Sequence, residues 1–174
     1  MPDLPPGLRP LDDYARDRQS TSREQFLAAH GTPVLIVPML SPLQDAERFS
    51  TLIVANRAAL APASWAVAKV QKRAGDAFPH FIWVGREVKC DIALPFDGVS
   101  KLHAQFILRP GGEIDLLDTG SANGTFLDGK RLQDNAPLRV RDGARIQMGM
   151  VEMAYRTPEG LWDALATWTP GSRP

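Results

Sequence analysis

Arg86 follows Gly85 at the end of the apolar run Phe81-Ile82-Trp83-Val84, Ser100 and Lys101 stand just before His103, and Asn123 opens the tripeptide Asn123-Gly124-Thr125. These residue types suit one kind of chemistry. An arginine offers a planar fork of donors, a serine a hydroxyl and its amide, a lysine a point charge, and an asparagine a neutral amide. Brought together they would form an anion receptor, because an anion is held by short, charge-assisted hydrogen bonds. Catalysis and metal binding fit less well. His103 could serve as a base or a ligand, but only His30 and His80 could join it, and Cys90 is the one cysteine. No paired carboxylates stand beside it. Without a nucleophile-base pair, a phosphate-cradling glycine loop or a metal cluster, no enzyme, no metal and no cofactor is expected.

Composition narrows the class of partner. The chain has 174 residues, 44% of them hydrophobic, which is enough to bury a core and too many for disorder. Lys+Arg and Asp+Glu both number 20, so the balance gives no electrostatic footprint for nucleic acid or an anionic membrane. Any anion site must therefore be local. The single cysteine excludes an internal disulfide and suits a reducing, cytoplasmic setting. No charged stub and apolar core open the chain as in a signal peptide, and no apolar run approaches the ~20 residues needed to span a membrane.

The elements that must position these side chains can be read in order. Residues 1–10 are proline-rich and read as a loose arm, and 11–18 as a solvated helix. Thr21-Ser22-Arg23-Glu24 fits a capping box, starting a short helix through Phe26 and Leu27 that stops near His30-Gly31. Val34-Leu35-Ile36-Val37 reads as a buried strand that packs on or adds to a sheet. Residues 50–54 form a second strand candidate, while 42–47 and 56–63 stay open between loop and short helix. From Trp65 the pattern is β: 65–71 before an Ala74-Gly75-Asp76 turn, 81–84, 104–109 and 113–117 around Pro110-Gly111-Gly112, and a type I′ hairpin at Asp128-Gly129. Residues 145–155 alternate with a phase slip after Gly149, which implies a turn or bulge. Thr157-Pro158-Glu159 starts a closing helix that puts Leu161, Leu165 and Trp168 on one face. Such closely spaced strands and turns make a mainly β protein, a β-sandwich with short flanking helices.

The order Gly85-Arg86, Ser100-Lys101-Leu102-His103, Asp118 through Thr125, and then Asp142-Gly143 and Gly149 resembles the forkhead-associated (FHA) domain family over roughly 65–155. The resemblance implies a β-sandwich whose strand-end loops meet at one end and bind phosphothreonine peptides. It implies that Arg86 and Ser100 contact the phosphate, that Lys101 assists, and that Asn123 hydrogen-bonds the peptide backbone beside the phosphothreonine. Gly85, His103, Gly124 and Thr125 take structural roles, His103 by bracing the loops. There are departures. Ala122 lacks the hydroxyl common before Asn-Gly-Thr, Lys101 replaces a frequent arginine and so loses the fork, and Gly143-Ala144 replaces Gly-Asp, which bears on the stability of that turn.

The domain organisation expected is an N-terminal extension over 1–64, an FHA-like sandwich over 65–156 and a C-terminal helix and tail over 157–174. The expected function is non-catalytic recognition of a phosphothreonine-containing protein, a Ser/Thr kinase or its substrate, with no nucleic acid or membrane partner. The alternative is a phosphate-independent adaptor that keeps the sandwich and makes its contacts through the extension or a sheet face.

Overall fold

The computed structural model describes residues 4–39, 64–73 and 78–172. The strand candidate at 50–54, the open segments 42–47 and 56–63, and the turn at 74–76 lie outside them.

The chain begins with β1 (Leu8–Pro10), α1 (Leu11–Ser20), α2 (Arg23–Ala29), β2 (Val34–Met39) and β3 (Ser64–Lys69). Next come β4 (Phe81–Gly85), β5 (Ile92–Ala93), β6 (Ala104–Leu108), β7 (Ile114–Asp118), β8 (Thr125–Leu127) and β9 (Lys130–Arg131). It closes with β10 (Leu138–Val140), β11 (Arg145–Met148), β12 (Val151–Arg156) and α3 (Pro158–Ala164). One sheet runs β1-β3-β2-β12-β11-β8-β9 and the other β10-β7-β6-β4-β5. The expected β-sandwich is present, with three short helices among the described residues.

β2 explains why the 34–37 run is apolar without alternation. Leu35 and Val37 face the inter-sheet core with Ile82, Val84, Phe106, Leu116, Ile146 and Met148. Val34 and Ile36 face the opposite way, into a second cluster with Trp65, Val67, Leu11, Tyr14, Phe26, Leu161 and Leu165. A strand buried on both faces needs apolar residues at every position. Each such side chain contributes ~1.5–3 kcal/mol by burial. β2 lies between β3 and β12, paired antiparallel with both. The ladder to β12 ends at Ile36↔Ala154, short of Pro38, which has no amide to donate.

Several expectations for the first 30 residues are corrected. The 1–10 arm is not loose throughout, because Leu8–Pro10 pairs with Ala66 to Ala68 of β3. Helix α1 is not simply solvated, since Leu11 and Tyr14 are buried. The capping box exists one residue later than expected. Ser22 accepts from the Gln25 amide, and the Gln25 side chain returns to the Ser22 amide. The Thr21 hydroxyl instead donates to Asp17 O at 2.7 Å, closing α1.

The later turns follow their sequence signals. Asp128 and Gly129 have φ of 50° and 81°, the type I′ pair joining β8 to β9. The phase slip after Gly149 is the turn between β11 and β12, which pair from Arg145↔Ala154 to Met148↔Val151. Helix α3 has Thr157 as its N-cap and Pro158 in its first turn, but it ends at Ala164. Leu161 and Leu165 are buried while Trp168, beyond the helix, packs at the edge of the same cluster. The Gly143-Ala144 turn is secured without the family's aspartate: Gly143 N donates to Tyr155 O at 3.0 Å and Tyr155 N to Ala144 O at 2.9 Å. No helix among the described residues is long and apolar enough to cross a membrane.

Candidate functional site

Loops 86–91, 94–103, 119–124 and 149–150 are tied together beyond the ends of β4, β7 and β11. Strand β4 delivers Arg86 to this end, and the 94–103 loop doubles back against it: Arg86 N donates to Ser100 O at 2.9 Å and Glu87 N to Lys101 O at 3.3 Å. This close crossing accounts for Gly85. A Cβ there would overlap the Lys101 carbonyl, with the Cys90 Sγ 3.1 Å away. Cys90 donates its thiol to the same carbonyl at 3.3 Å. Burial raises its pKa, so it is a packing thiol, not a nucleophile.

His103 is fully buried and joins two loops. Its Nδ1 accepts from Ser100 N at 2.9 Å, which fixes the ring proton on Nε2, 3.2 Å from Gly124 O. Both nitrogens are thus engaged, and neither is left to act as a base. Burial is the main reason its pKa lies below the usual histidine value; the Gly124 carbonyl and Asp118 oppose the shift without cancelling it. Gly124 O also accepts from Gly149 N at 3.2 Å, so three loops meet at one carbonyl.

The 119–124 loop is shaped by Asp118. Its carboxylate accepts from Gly120 N, Ser121 N, the Ser121 hydroxyl and the Thr125 hydroxyl at 2.5 to 3.1 Å. Burial pushes this carboxyl up, but the two hydroxyls and two amides outweigh it and hold it below the usual aspartate value. Thr125 is fully buried, which accounts for a hydroxyl that needs an internal acceptor.

The polar side chains emerge from this frame. Ser100 Oγ accepts from Ala122 N at 3.0 Å, and no acceptor among the described residues takes its own hydrogen. Asn123 Nδ2 donates to Gly98 O at 2.9 Å, leaving Oδ1 to accept. Arg86 and Lys101 are exposed. Arg86 Nη1 lies 3.6 Å from Asp97 Oδ1, with 46% of one side chain and 58% of the other exposed. Arg86, Ser100 and Asn123 are therefore linked through the 97–101 loop and its neighbours, and Lys101 extends from the same loop. Such an array presents a guanidinium, a hydroxyl, an ammonium and an amide to solvent in one region.

Two residues here carry no expectation from the sequence. Asp97 contacts Arg86 through a loop whose path no local pattern foretells. Arg131 places its guanidinium over Gly124, and the two-residue hairpin at Asp128-Gly129 held the signal for it, since that turn fixes Phe126↔Arg131.

Residues 82–149 match the family model for the FHA domain. The chain contains an FHA domain. The match is narrower than the 65–155 stretch of the sequence resemblance but spans the 86–91, 94–103 and 119–124 loops. Among curated proteins, the chain is similar to the glycogen accumulation regulator GarA of Mycolicibacterium smegmatis, 37% identical over 73 residues, covering 42% of this chain and 44% of that one. It is also similar to an Arabidopsis thaliana homolog of the protein phosphatase 1 regulatory inhibitor subunit PPP1R8, 26% identical over 159 residues, covering 80% of this chain and 42% of that one. The chain thus spans less than half the length of both relatives. Among solved structures, an engineered FHA domain with a Myc-pTBD peptide aligns with a TM-score of 0.50 at 17% identity, covering 78% of this chain and 98% of that one. At that identity the likeness is one of fold.

Proposed function

We propose that the FHA domain of this protein recognises a phosphothreonine-containing segment of a partner protein and does so without catalysis. The observation that carries this reading is the hydrogen-bonded linkage of Arg86, Ser100 and Asn123 at one end of the sandwich. A phosphate dianion requires short charge-assisted donors. Arg86 supplies the fork, Ser100 the free hydroxyl hydrogen and Lys101 a further positive charge. Asn123 Oδ1 is left to accept an N–H from an extended ligand, which fixes register without reading side chains. His103, Gly85, Gly124 and Thr125 hold the frame. Arginine-centred capture of phosphorylated motifs is how domains of this family work in general.

The partner is a phosphoprotein made by a Ser/Thr kinase, or the kinase itself, in the cytoplasm, where the Cys90 thiol stays reduced. The test is calorimetric titration of the wild-type chain and Arg86→Ala with a phosphothreonine peptide chosen from an array, alongside its unphosphorylated twin. Binding of the phosphorylated peptide alone, lost in Arg86→Ala, supports the reading. Equal binding of both peptides, or an unaffected variant, replaces it with a phosphate-independent adaptor.

A further inference from the structure

The Arg131 guanidinium lies against Gly124, the residue after Asn123. Its Nε is 2.9 Å, and its Cζ and Nη2 are 3.3 Å, from the point that a Gly124 Cβ would occupy. Gly124 has φ of 79°, a conformation that favours glycine, and the missing side chain leaves the space in which the guanidinium rests. Arg131 comes from β9, the last strand of its sheet, paired only with β8. It is exposed, and among the described residues its side chain has neither an ion-pair nor a hydrogen-bond partner. Arg86 differs, because it already has Asp97 as a counter-ion. An arginine stem laid over backbone holds its charge at a fixed place, and a planar fork with no internal acceptor suits a carboxylate.

We infer that Arg131 is a specificity-determining residue of the phosphopeptide site, selecting ligands with an acidic side chain where the peptide crosses Asn123-Gly124. The inference rests on the phosphopeptide reading above and adds to it the chemistry of the flanking sequence. Arg86 and Lys101 serve the phosphate from the 86 and 100–101 side. Arg131 is a separate cation at Gly124, so an extended ligand held at Asn123 would bring a side chain flanking the phosphothreonine to it. The contact is solvent-exposed, so its effect is modest: roughly two- to five-fold in affinity. It is also weakened by salt.

The experiment titrates the full chain with one phosphothreonine peptide carrying Glu, Gln or Lys at each flanking position in turn. At one position the wild type should favour Glu over Gln by roughly two- to five-fold at low salt, and the gap should close as salt rises. Arg131→Ala should bind the Gln peptide as the wild type does and lose the Glu preference. Arg131→Lys should keep part of it, and Arg131→Glu should favour Lys at the same position, a reversal that mere support of the Asn123-Gly124 turn would not produce. If the wild type discriminates nowhere, or if Arg131→Ala and Arg131→Glu keep the Glu preference, the inference is overturned while phosphopeptide binding stands. If the wild type binds no phosphorylated peptide, both readings fall together.

Discussion

Asp97 holds its carboxylate 3.6 Å from the Arg86 guanidinium, the side chain proposed to grip the phosphate. Both are about half exposed, so the pair is weak, but its sign matters. A phosphate approaching Arg86 must replace Asp97 and then sit near its negative charge. Asp97→Asn should therefore tighten phosphopeptide binding by roughly two- to five-fold, the range of an exposed ion pair. The gain should shrink as salt rises. Calorimetric titration at low and high salt checks this, and weaker binding by Asp97→Asn would mean that Asp97 orients Arg86 instead of competing for it.

Loss of Arg86 should be much costlier. A charge-assisted hydrogen bond contributes ~1.5–3 kcal/mol, so a two-pronged contact is worth about 3–6 kcal/mol, or two to four decades in affinity. Ser100→Ala should cost about one decade, since a single neutral donor is worth ~0.5–1.5 kcal/mol. Lys101→Ala should cost least and be the most salt-sensitive. Arg86→Ala should leave the melting temperature nearly unchanged, because exposed loop substitutions usually fall within about 0.5 kcal/mol. Thermal unfolding and titration on the same preparations separate a binding role from a folding one.

Gly85→Ala should do the reverse, acting through the frame. Its new methyl group would meet the Lys101 carbonyl, a backbone atom that also accepts from Glu87 N and the Cys90 thiol. Relieving that overlap means moving the 100–101 backbone. Forced overpacking typically costs ~1–3 kcal/mol. Both the melting temperature and phosphopeptide affinity should drop, whereas an unchanged affinity would detach Ser100 and Lys101 from the site.

Much of this frame was legible because it depends on short-range signals. Asp128-Gly129 dictates its own hairpin, Thr157-Pro158 its own helix start, and the 34–37 run declares burial on both faces. The capping box was misplaced by one residue for a local reason. Thr21 and Ser22 are both hydroxyls, and Glu24 and Gln25 can both return a bond. What decides is that Thr21 is already taken by Asp17 O at the end of α1. That the loops carrying Arg86, Ser100 and Asn123 meet was readable from motif order. Asp97 was not, since its meeting with Arg86 depends on how the 94–100 loop folds back, which no periodicity encodes. The pairing of residues 8–10 was hidden as well, since a proline-rich stretch gives no strand signal and its partner β3 lies over 50 positions away.

His103 makes the frame sensitive to acid. With its folded-state pKa below the unfolded value, the unfolded chain takes up the proton first as pH falls. Stability should thus be level above about pH 6.5, decline as pH falls from there to the folded pKa, and level off below it. His30 contributes in the same direction, its pKa lowered chiefly by burial against the opposing pull of Asp17. Burial is the main cause at His103, and the geometry acts in the same sense: a proton on Nδ1 would face the Ser100 N–H that now donates to it. Melting temperature against pH is the measurement, made on the free protein because phosphate itself titrates near pH 6. His103→Gln should flatten part of the decline, and an unaltered profile would assign the whole slope to other groups.

The last prediction concerns residues 1–39 and what they support. Ile36 sits in the helix-facing cluster and Leu35, its neighbour, in the inter-sheet core. Both are fully buried. Truncating a buried Leu or Ile to Ala typically costs ~2–5 kcal/mol. Leu35→Ala and Ile36→Ala should therefore each lower the melting temperature by many degrees, although both lie outside residues 82–149, which match the FHA family model. The same holds for removing residues 1–30, which takes away β1, α1 and α2 and strips Leu11, Tyr14 and Phe26 from the cluster that covers Val34, Ile36, Trp65 and Val67. Phosphopeptide affinity of Ile36→Ala, measured well below its melting temperature, should match the wild type, because the helix layer covers the sheet face away from the other sheet, whereas the site is built from strand-end loops. A stable protein after removal of 1–30 would show the helix layer to be dispensable. Lost affinity in a folded Ile36→Ala would show that this layer communicates with the loops, and would move the regulation of binding into the N-terminal segment.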